Sequence, residues 1–158
     1  MGIKKIKIGE KVQEFSLPST GNKVVTLAGL KGKNVIIYFY PKDATPGCTL
    51  EGQNFRDNIR KFSSRNTKIL GVSRDKITLH EKFKKDQNFP FDLLSDEDEI
   101  LCKIFDVIKV KNMYGKKVMG IERSTFLIDK KGILRNEWRK VKVKGHIEDV
   151  LEELKKIK

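Results

Sequence analysis

Cys48 is the residue of this sequence best placed for chemistry. It follows Tyr40-Pro41-Lys42-Asp43-Ala44-Thr45-Pro46-Gly47 and precedes Thr49-Leu50-Glu51. Just upstream, Val35-Ile36-Ile37-Tyr38-Phe39-Tyr40 is the apolar run of a buried strand, and it stops at a proline. A Pro-Gly turn then leads into the cysteine and a helix-forming pattern. That order sets a thiol in the first turn of a helix, where unpaired N–H groups and the helix dipole favour an anion. The thiolate is the nucleophilic form of cysteine, so Cys48 is a candidate nucleophile.

Other chemistries fit less well. A disulfide reductase wants Cys-x-x-Cys, yet Glu51 stands where the second cysteine would be. A cysteine hydrolase needs a histidine base beside the thiol. Only His80 and His146 exist; His80 reads as part of a surface helix, and His146 as a turn or cap residue opening the last helix. Two cysteines and two histidines lie far apart without zinc-ligand spacing. The second thiol, Cys102, sits among Leu101, Ile104 and Phe105, the setting of a packed helix face. A buried structural thiol is its expected role, with a resolving role as the alternative.

The 158 residues suit one compact domain, with 38% apolar residues for a core. The formal charge is +13, from 34 Lys+Arg against 21 Asp+Glu. Such a balance raises nucleic acid or an anionic surface as a partner. The lysines are scattered, however, from Lys4, Lys5 and Lys7 to Lys155, Lys156 and Lys158, with no aromatic residues interleaved in a basic block. A solvated lysine-rich surface is the expectation, and a basic binding module is the non-enzyme alternative. Two cysteines do not make a disulfide framework. No apolar run approaches the roughly 18 residues of a membrane span, and Met1-Gly2-Ile3-Lys4-Lys5-Ile6-Lys7 lacks the apolar core of a signal peptide. The expectation is a cytoplasmic protein without a membrane partner. With no arm after the last helix, a monomer or weak homodimer is expected.

Several elements must position Cys48. Phe15-Ser16-Leu17 and Val24-Val25-Thr26-Leu27, flanking Ser19-Thr20-Gly21-Asn22, read as a hairpin. Residues 35–40, apolar on both faces, read as a central strand covered on both sides. A helix follows over 48–62, then a second buried strand over 68–73. Thr78 and Glu81 have the spacing of a capping box for a short helix. Another helix starts near Ser95. Residues 124–129 and 133–138 alternate around a short Gly-containing loop, a further hairpin. Ile147, Val150, Leu151, Leu154 and Ile157 mark a final helix. Parallel strands joined by right-handed crossovers, with antiparallel strands added, give an α/β fold with a mixed central sheet flanked by helices.

Three stretches carry a family resemblance. They are Tyr40 to Glu51, then Phe55-Arg56-Asp57, then Gly120-Ile121-Glu122-Arg123-Ser124-Thr125-Phe126-Leu127-Ile128-Asp129. These resemble the peroxiredoxins, more narrowly the bacterioferritin-comigratory or Q-type branch, and the similarity extends to Trp138-Arg139-Lys140-Val141-Lys142-Val143-Lys144-Gly145-His146. The resemblance implies a thioredoxin-like fold with an N-terminal hairpin. It implies thiol-dependent reduction of hydrogen peroxide and organic hydroperoxides, with a thioredoxin-like or small-thiol reductant and no cofactor. It assigns Cys48 as the peroxidatic cysteine and matches Pro41, Thr45 and Arg123 to the family's active-site set, with Glu51 as a supporting residue.

The chemistry explains why such neighbours are needed. Thiolate attack on one peroxide oxygen leaves a sulfenic acid. Lowering a generic thiol's pKa from about 8.5 to about 6 raises its thiolate fraction at pH 7 about thirtyfold, yet costs roughly thirteenfold in nucleophilicity at a Brønsted slope near 0.45. The net gain is only a few-fold, so most acceleration must come from stabilising charge on the peroxide oxygens. A Thr45 hydroxyl can donate and accept. An Arg123 guanidinium is always charged and has several donors. Pro41 restricts the entering chain, and the backbone N–H groups near Gly47 and Cys48 are further donors. Taken alone, each has an ordinary use: Pro41 ends a strand, Thr45 caps a helix, Arg123 joins a surface ion pair, and Glu51 complements a helix N-terminus.

The chain departs from the family in its second thiol. A resolving cysteine would fall at Gln53 or near 80–85, and neither place holds one. A one-cysteine mechanism with an external thiol is expected, and a two-cysteine cycle through Cys102 is the alternative.

Overall fold

The computed structural model describes residues 5–157. The N-terminal stretch Met1-Gly2-Ile3-Lys4 and the last residue, Lys158, read above for signals and charge, lie outside the described residues.

The strand over 35–40 is the axis of the molecule. As β3 (Asn34–Phe39) it pairs in parallel with β4 (Thr67–Ser73), which pairs in parallel with β5 (Asp92–Ser95). On its other side β3 meets β8 (Ser124–Ile128) antiparallel, and β8 meets β9 (Leu134–Trp138). The hairpin β1 (Ser16–Ser19) and β2 (Lys23–Thr26) closes the far edge through a Ser19–Leu94 pairing. The seven-stranded order is β2-β1-β5-β4-β3-β8-β9, a mixed sheet. Every residue of β3 is buried, as a strand covered on both faces requires.

Because side chains alternate along a strand, β3 divides the interior in two. Val35, Ile37 and Phe39 face one cluster with Leu101, Cys102, Ile104 and Phe105. Ile36, Tyr38 and Tyr40 face the other with Cys48, Phe55, Phe62, Ile147, Val150 and Leu154. The first lies under α4 (Ile100–Ile104), the second under α1 (Pro46–Asp57), α2 (Ile59–Ser63) and α5 (His146–Lys155). The helix α3 (Ile77–Gln87) also covers the second face, through Phe83. At the base of α1 a Cβ on Gly52 would lie 2.3 Å from the Phe89 ring, so only glycine lets the helix sit this close.

Several expectations need correction. The helix over 48–62 is two helices, because Asn58 (φ −111°, ψ 12°) leaves the helical region and its side-chain amide donates to the Asn54 carbonyl at 2.8 Å. Thr78 and Glu81 form no capping box: Lys76 is the N-cap of α3, and Glu81 Oε1 instead accepts the Gly21 N–H at 3.0 Å. The helix placed near Ser95 begins only at Ile100, since 92–95 form β5. A β-ribbon made of β6 (Ile108–Met113) and β7 (Lys116–Ile121) stands apart from the main sheet and had no counterpart in the sequence reading. His80 is fully buried rather than on a surface helix. His146 is buried inside the first turn of α5 and is not its cap, which is Gly145 (φ 77°). Among the described residues no helix is long and apolar enough to cross a membrane.

Candidate active site

The site forms where β3 ends and α1 begins, joined from across the sheet by the start of β8. Tyr40 passes into a loop in which Ala44 takes a left-handed conformation (φ 62°). A Cβ makes that conformation costly, so the segment is held by its surroundings. The helix opens with Thr45 as N-cap and Pro46 in its first turn, where a missing N–H costs nothing. This places Cys48 in the first turn, 2% exposed.

Arg123, two residues beyond β7 and immediately before β8, reaches the sulfur from a distant part of the chain. Its Nη2 donates to Cys48 Sγ at 3.5 Å and its Nη1 to Glu51 Oε1 at 2.7 Å. The guanidinium thus spans both groups as a fork, which a lysine could not reproduce. Gly47 makes room for it: a Cβ there would lie 3.0 Å from Arg123 Nη2. Partial burial opposes charge on Arg123, but Glu51 and Cys48 outweigh it and hold its pKa above the ordinary value.

Glu51 lies one helical turn on from Cys48 and is 1% exposed. Burial pushes its carboxyl up to about 7, against the opposing pull of Arg123. Its Oε2 and the Tyr38 hydroxyl are buried with no hydrogen-bond partner among the described residues. The Tyr38 hydroxyl is held well above its ordinary range, by burial first and then by Glu51 and Cys48. A second cation approaches from the ribbon. Lys111 on β6 lies within the field of Arg123 and Cys48, and burial and Arg123 lower it below the usual lysine value.

Of the residues singled out in the sequence, Cys48, Glu51, Gly47 and Arg123 therefore converge on one point. Pro41 is half-buried at the head of the loop. Thr45 holds the N-cap position, but its hydroxyl donates backwards to the Lys42 carbonyl at 2.8 Å and not into the helix. Cys102 is elsewhere. It is fully buried on the opposite face of the sheet, where burial and then the Asp96 carboxylate drive its thiol far upward. Asp96 Oδ2 also accepts the Cys102 backbone N–H at 2.8 Å. Both cysteines are free.

Sequence reasoning missed Lys111, Tyr38 and the pair Asp43–His80. Lys111 lies in the unassigned ribbon. His80 and Phe83, three apart on one helix, share a face, and that spacing was a signal of burial.

Comparison with known proteins identifies the family. Residues 8–137 match the AhpC/TSA family. Peroxiredoxin Bcp of Bacillus subtilis is 50% identical over 150 residues, covering 95% of this chain and 96% of its own length. Peroxiredoxin Bcp of Xanthomonas campestris is 53% identical over 143 residues, covering 89% of each. Among solved structures, the bacterioferritin comigratory protein of Xanthomonas campestris, described for its alkyl peroxide reduction activity, superposes with a TM-score of 0.86 at 51% identity over 90% of each chain. A cysteine-to-serine variant of Xylella fastidiosa PrxQ gives 0.91 at 44% identity, covering 97% of this chain and 98% of its own. With a thiol in the first turn of α1, a guanidinium on its sulfur and a thioredoxin-like mixed sheet beneath, this chain belongs to the AhpC/TSA family, as a thiol peroxidase among the Bcp-type peroxiredoxins.

Proposed function

We propose that Cys48 is the peroxidatic cysteine and that the enzyme works by a one-cysteine cycle. The observation that carries this reading is the Arg123 fork, which puts a fixed positive charge on Cys48 Sγ while Glu51 fixes the guanidinium from behind. The Cys48 thiolate attacks one oxygen of a hydroperoxide. An S–O bond forms and the O–O bond breaks. The other oxygen leaves as hydroxide or alkoxide and takes a proton from solvent, giving water or an alcohol. Charge builds on both oxygens as the bond stretches, and Arg123 lies beside the place where it builds. Thr45, now bonded to Lys42, has a hydroxyl that can accept from the peroxide while it donates to the carbonyl.

The sulfenic acid is then reduced by an external thiol. That thiol displaces water to form a mixed disulfide, and a second thiol releases Cys48. The position of Cys102 supports this choice, since the central sheet separates it from Cys48 and its thiol is held in the inert form. The substrate class is hydrogen peroxide and organic hydroperoxides, the reductant a thioredoxin-like or small thiol. Two free cysteines suit a reducing compartment such as the cytoplasm.

Stopped-flow oxidation by hydrogen peroxide and by a bulky hydroperoxide, with intact mass afterwards, tests the reading. The expected product gains one oxygen on Cys48. A Cys48–Cys102 disulfide would replace the one-cysteine cycle with a two-cysteine one.

A further inference from the structure

Asp43 sits in the loop before Cys48 and is the meeting point of three elements. Tyr40, the residue after β3, donates its hydroxyl to Asp43 Oδ1 at 2.7 Å. The Asp43 N–H donates to Asp75 Oδ2 at 2.8 Å, and Asp75 is fixed in turn by the Ser73 hydroxyl at 2.6 Å. His80 of α3 places Nδ1 2.6 Å from Asp43 Oδ2 and Nε2 2.9 Å from the Leu94 carbonyl in β5. His80 and Asp43 are both buried. None of these contacts takes part in the peroxide chemistry described above.

The hydrogen-bond arithmetic of this pair is closed. The Leu94 carbonyl only accepts, so Nε2 carries a proton. Two lone pairs cannot face each other at 2.6 Å, so a second proton lies between Nδ1 and Oδ2. Wherever that proton sits, the pair as a whole is neutral, which suits a site without solvent. The loop it holds contains Ala44 in the left-handed region, a conformation that persists only where the surroundings impose it. Removing either partner leaves the facing atom of the other, Nδ1 or Oδ2, buried and unsatisfied and frees the loop to relax.

We propose that the His80–Asp43 pair is a positioning device for the peroxide reaction: it clamps the 41–45 loop between β3, α3 and β5 so that Thr45 and the first turn of α1 stand fixed against Arg123. The proposal rests on the reading of Cys48 as the nucleophile. Neither residue touches the substrate; both act through the loop.

The test measures the second-order rate constant for Cys48 oxidation by rapid quench and mass, alongside the fraction folded. Asp43→Ala and His80→Ala are each expected to lower the rate constant about ten- to hundredfold in folded protein, the cost of misplacing reacting groups by an ångström or less. The double variant is expected to be no slower than the slower single one, because the two residues act as one unit. Asp43→Asn is expected to recover most of the loss: its amide donates to Nδ1 and its oxygen accepts from Tyr40, while Nε2 still donates to Leu94. A strongly deshielded imidazole proton in the NMR spectrum should be present in the parent and absent in Asp43→Ala. Should the alanine variants fail to fold, Asp43→Asn and His80→Gln decide. Gln has a single NH2 group where His80 presents two nitrogens to acceptors on opposite sides, so it cannot bond Leu94 and Asp43 at once, and the first must outpace the second about tenfold. Rate constants for folded Asp43→Ala and His80→Ala within twofold of the parent, or an Asp43→Asn no faster than Asp43→Ala, would overturn the proposal. A parent whose Cys48 is never oxidised would instead sink the reading on which it stands.

Discussion

The two cysteines of this chain are almost equally buried, at 2% and 0% exposure, and both sit on helices packed against the same strand. They differ in what faces the sulfur. Cys48 meets the guanidinium of Arg123, on the face lined by Ile36, Tyr38 and Tyr40. Cys102 meets apolar side chains and the carboxylate of Asp96, on the face lined by Ile37 and Phe39. Burial alone therefore says little about a thiol. The sign of the nearest fixed charge separates them: a cation lies on Cys48 Sγ, while burial and an anion keep the Cys102 thiol protonated.

The contrast is easiest to break at Cys48. Cys48→Ser is expected to abolish peroxide turnover with any thiol reductant; residual consumption that needs Cys102 would reverse the comparison. Arg123→Ala is expected next, with a loss of about two to three orders of magnitude in the oxidation rate constant, the usual scale for removing one charge-stabilising donor set. Arg123→Lys should recover only part of it, because an ammonium cannot hold Cys48 and Glu51 at once.

Glu51 and His146 sharpen the picture through pH. The folded Glu51 carboxyl titrates at about 7, above its ordinary value of 4.5, so the native state binds more protons than the unfolded chain between those pH values. By linkage, the stability contributed by this group falls as pH rises from 4.5 to 7, by about 3 kcal/mol in all. Urea unfolding of Glu51→Gln should lack this decline and gain on the parent between pH 5 and pH 8. His146 works in the other direction. Burial lowers it from 6.5 to about 4, and its Nε2 lies 2.7 Å from the Thr125 hydroxyl. The native state binds fewer protons than the unfolded chain over that window, so stability is lost as pH falls from 6.5 to 4, on the order of 3 kcal/mol. His146→Gln should flatten that acid limb.

The smallest effect on chemistry is expected at Cys102. Cys102→Ser should leave the oxidation rate constant unchanged while lowering stability by only about 1 kcal/mol, because a hydroxyl is costlier to bury than a thiol but finds an acceptor in Asp96. A fall in turnover beyond the fraction unfolded would bring the second thiol into the cycle.

The apolar run at 35–40, the Pro-Gly turn before Cys48, the N-terminal hairpin, the 124–138 hairpin and the periodic last helix are visible without coordinates because local pattern dictates them. The ribbon over 108–121 is different. Its strands leave Val110, Met113, Val118 and Met119 exposed beside lysines, so no half-buried alternation marks them. The strand β5, only four residues long, is likewise too short for its alternation to show. Position alone makes His80 a surface residue and His146 a cap, yet each is buried with a ring nitrogen bonded to an acceptor or hydroxyl from another element.

What the sequence determined by itself is therefore local: a thiol in the first turn of a helix, after a buried strand and a proline. The family was legible too, through the resemblance of the Tyr40 to Glu51 and Gly120 to Asp129 stretches to the peroxiredoxins. Only the tertiary structure decided which charge Cys48 faces, since Arg123 reaches it through the pairing of β8 with β3, whereas Asp96 comes to Cys102 through the short turn into α4. Only it put the two thiols on opposite faces of β3 and drew Asp43, Asp75 and His80 into one buried cluster. Spacing along a chain records what neighbours can do; the charge on Cys48 Sγ comes from Arg123, seventy-five positions away, which only the packing of strands and helices brings near.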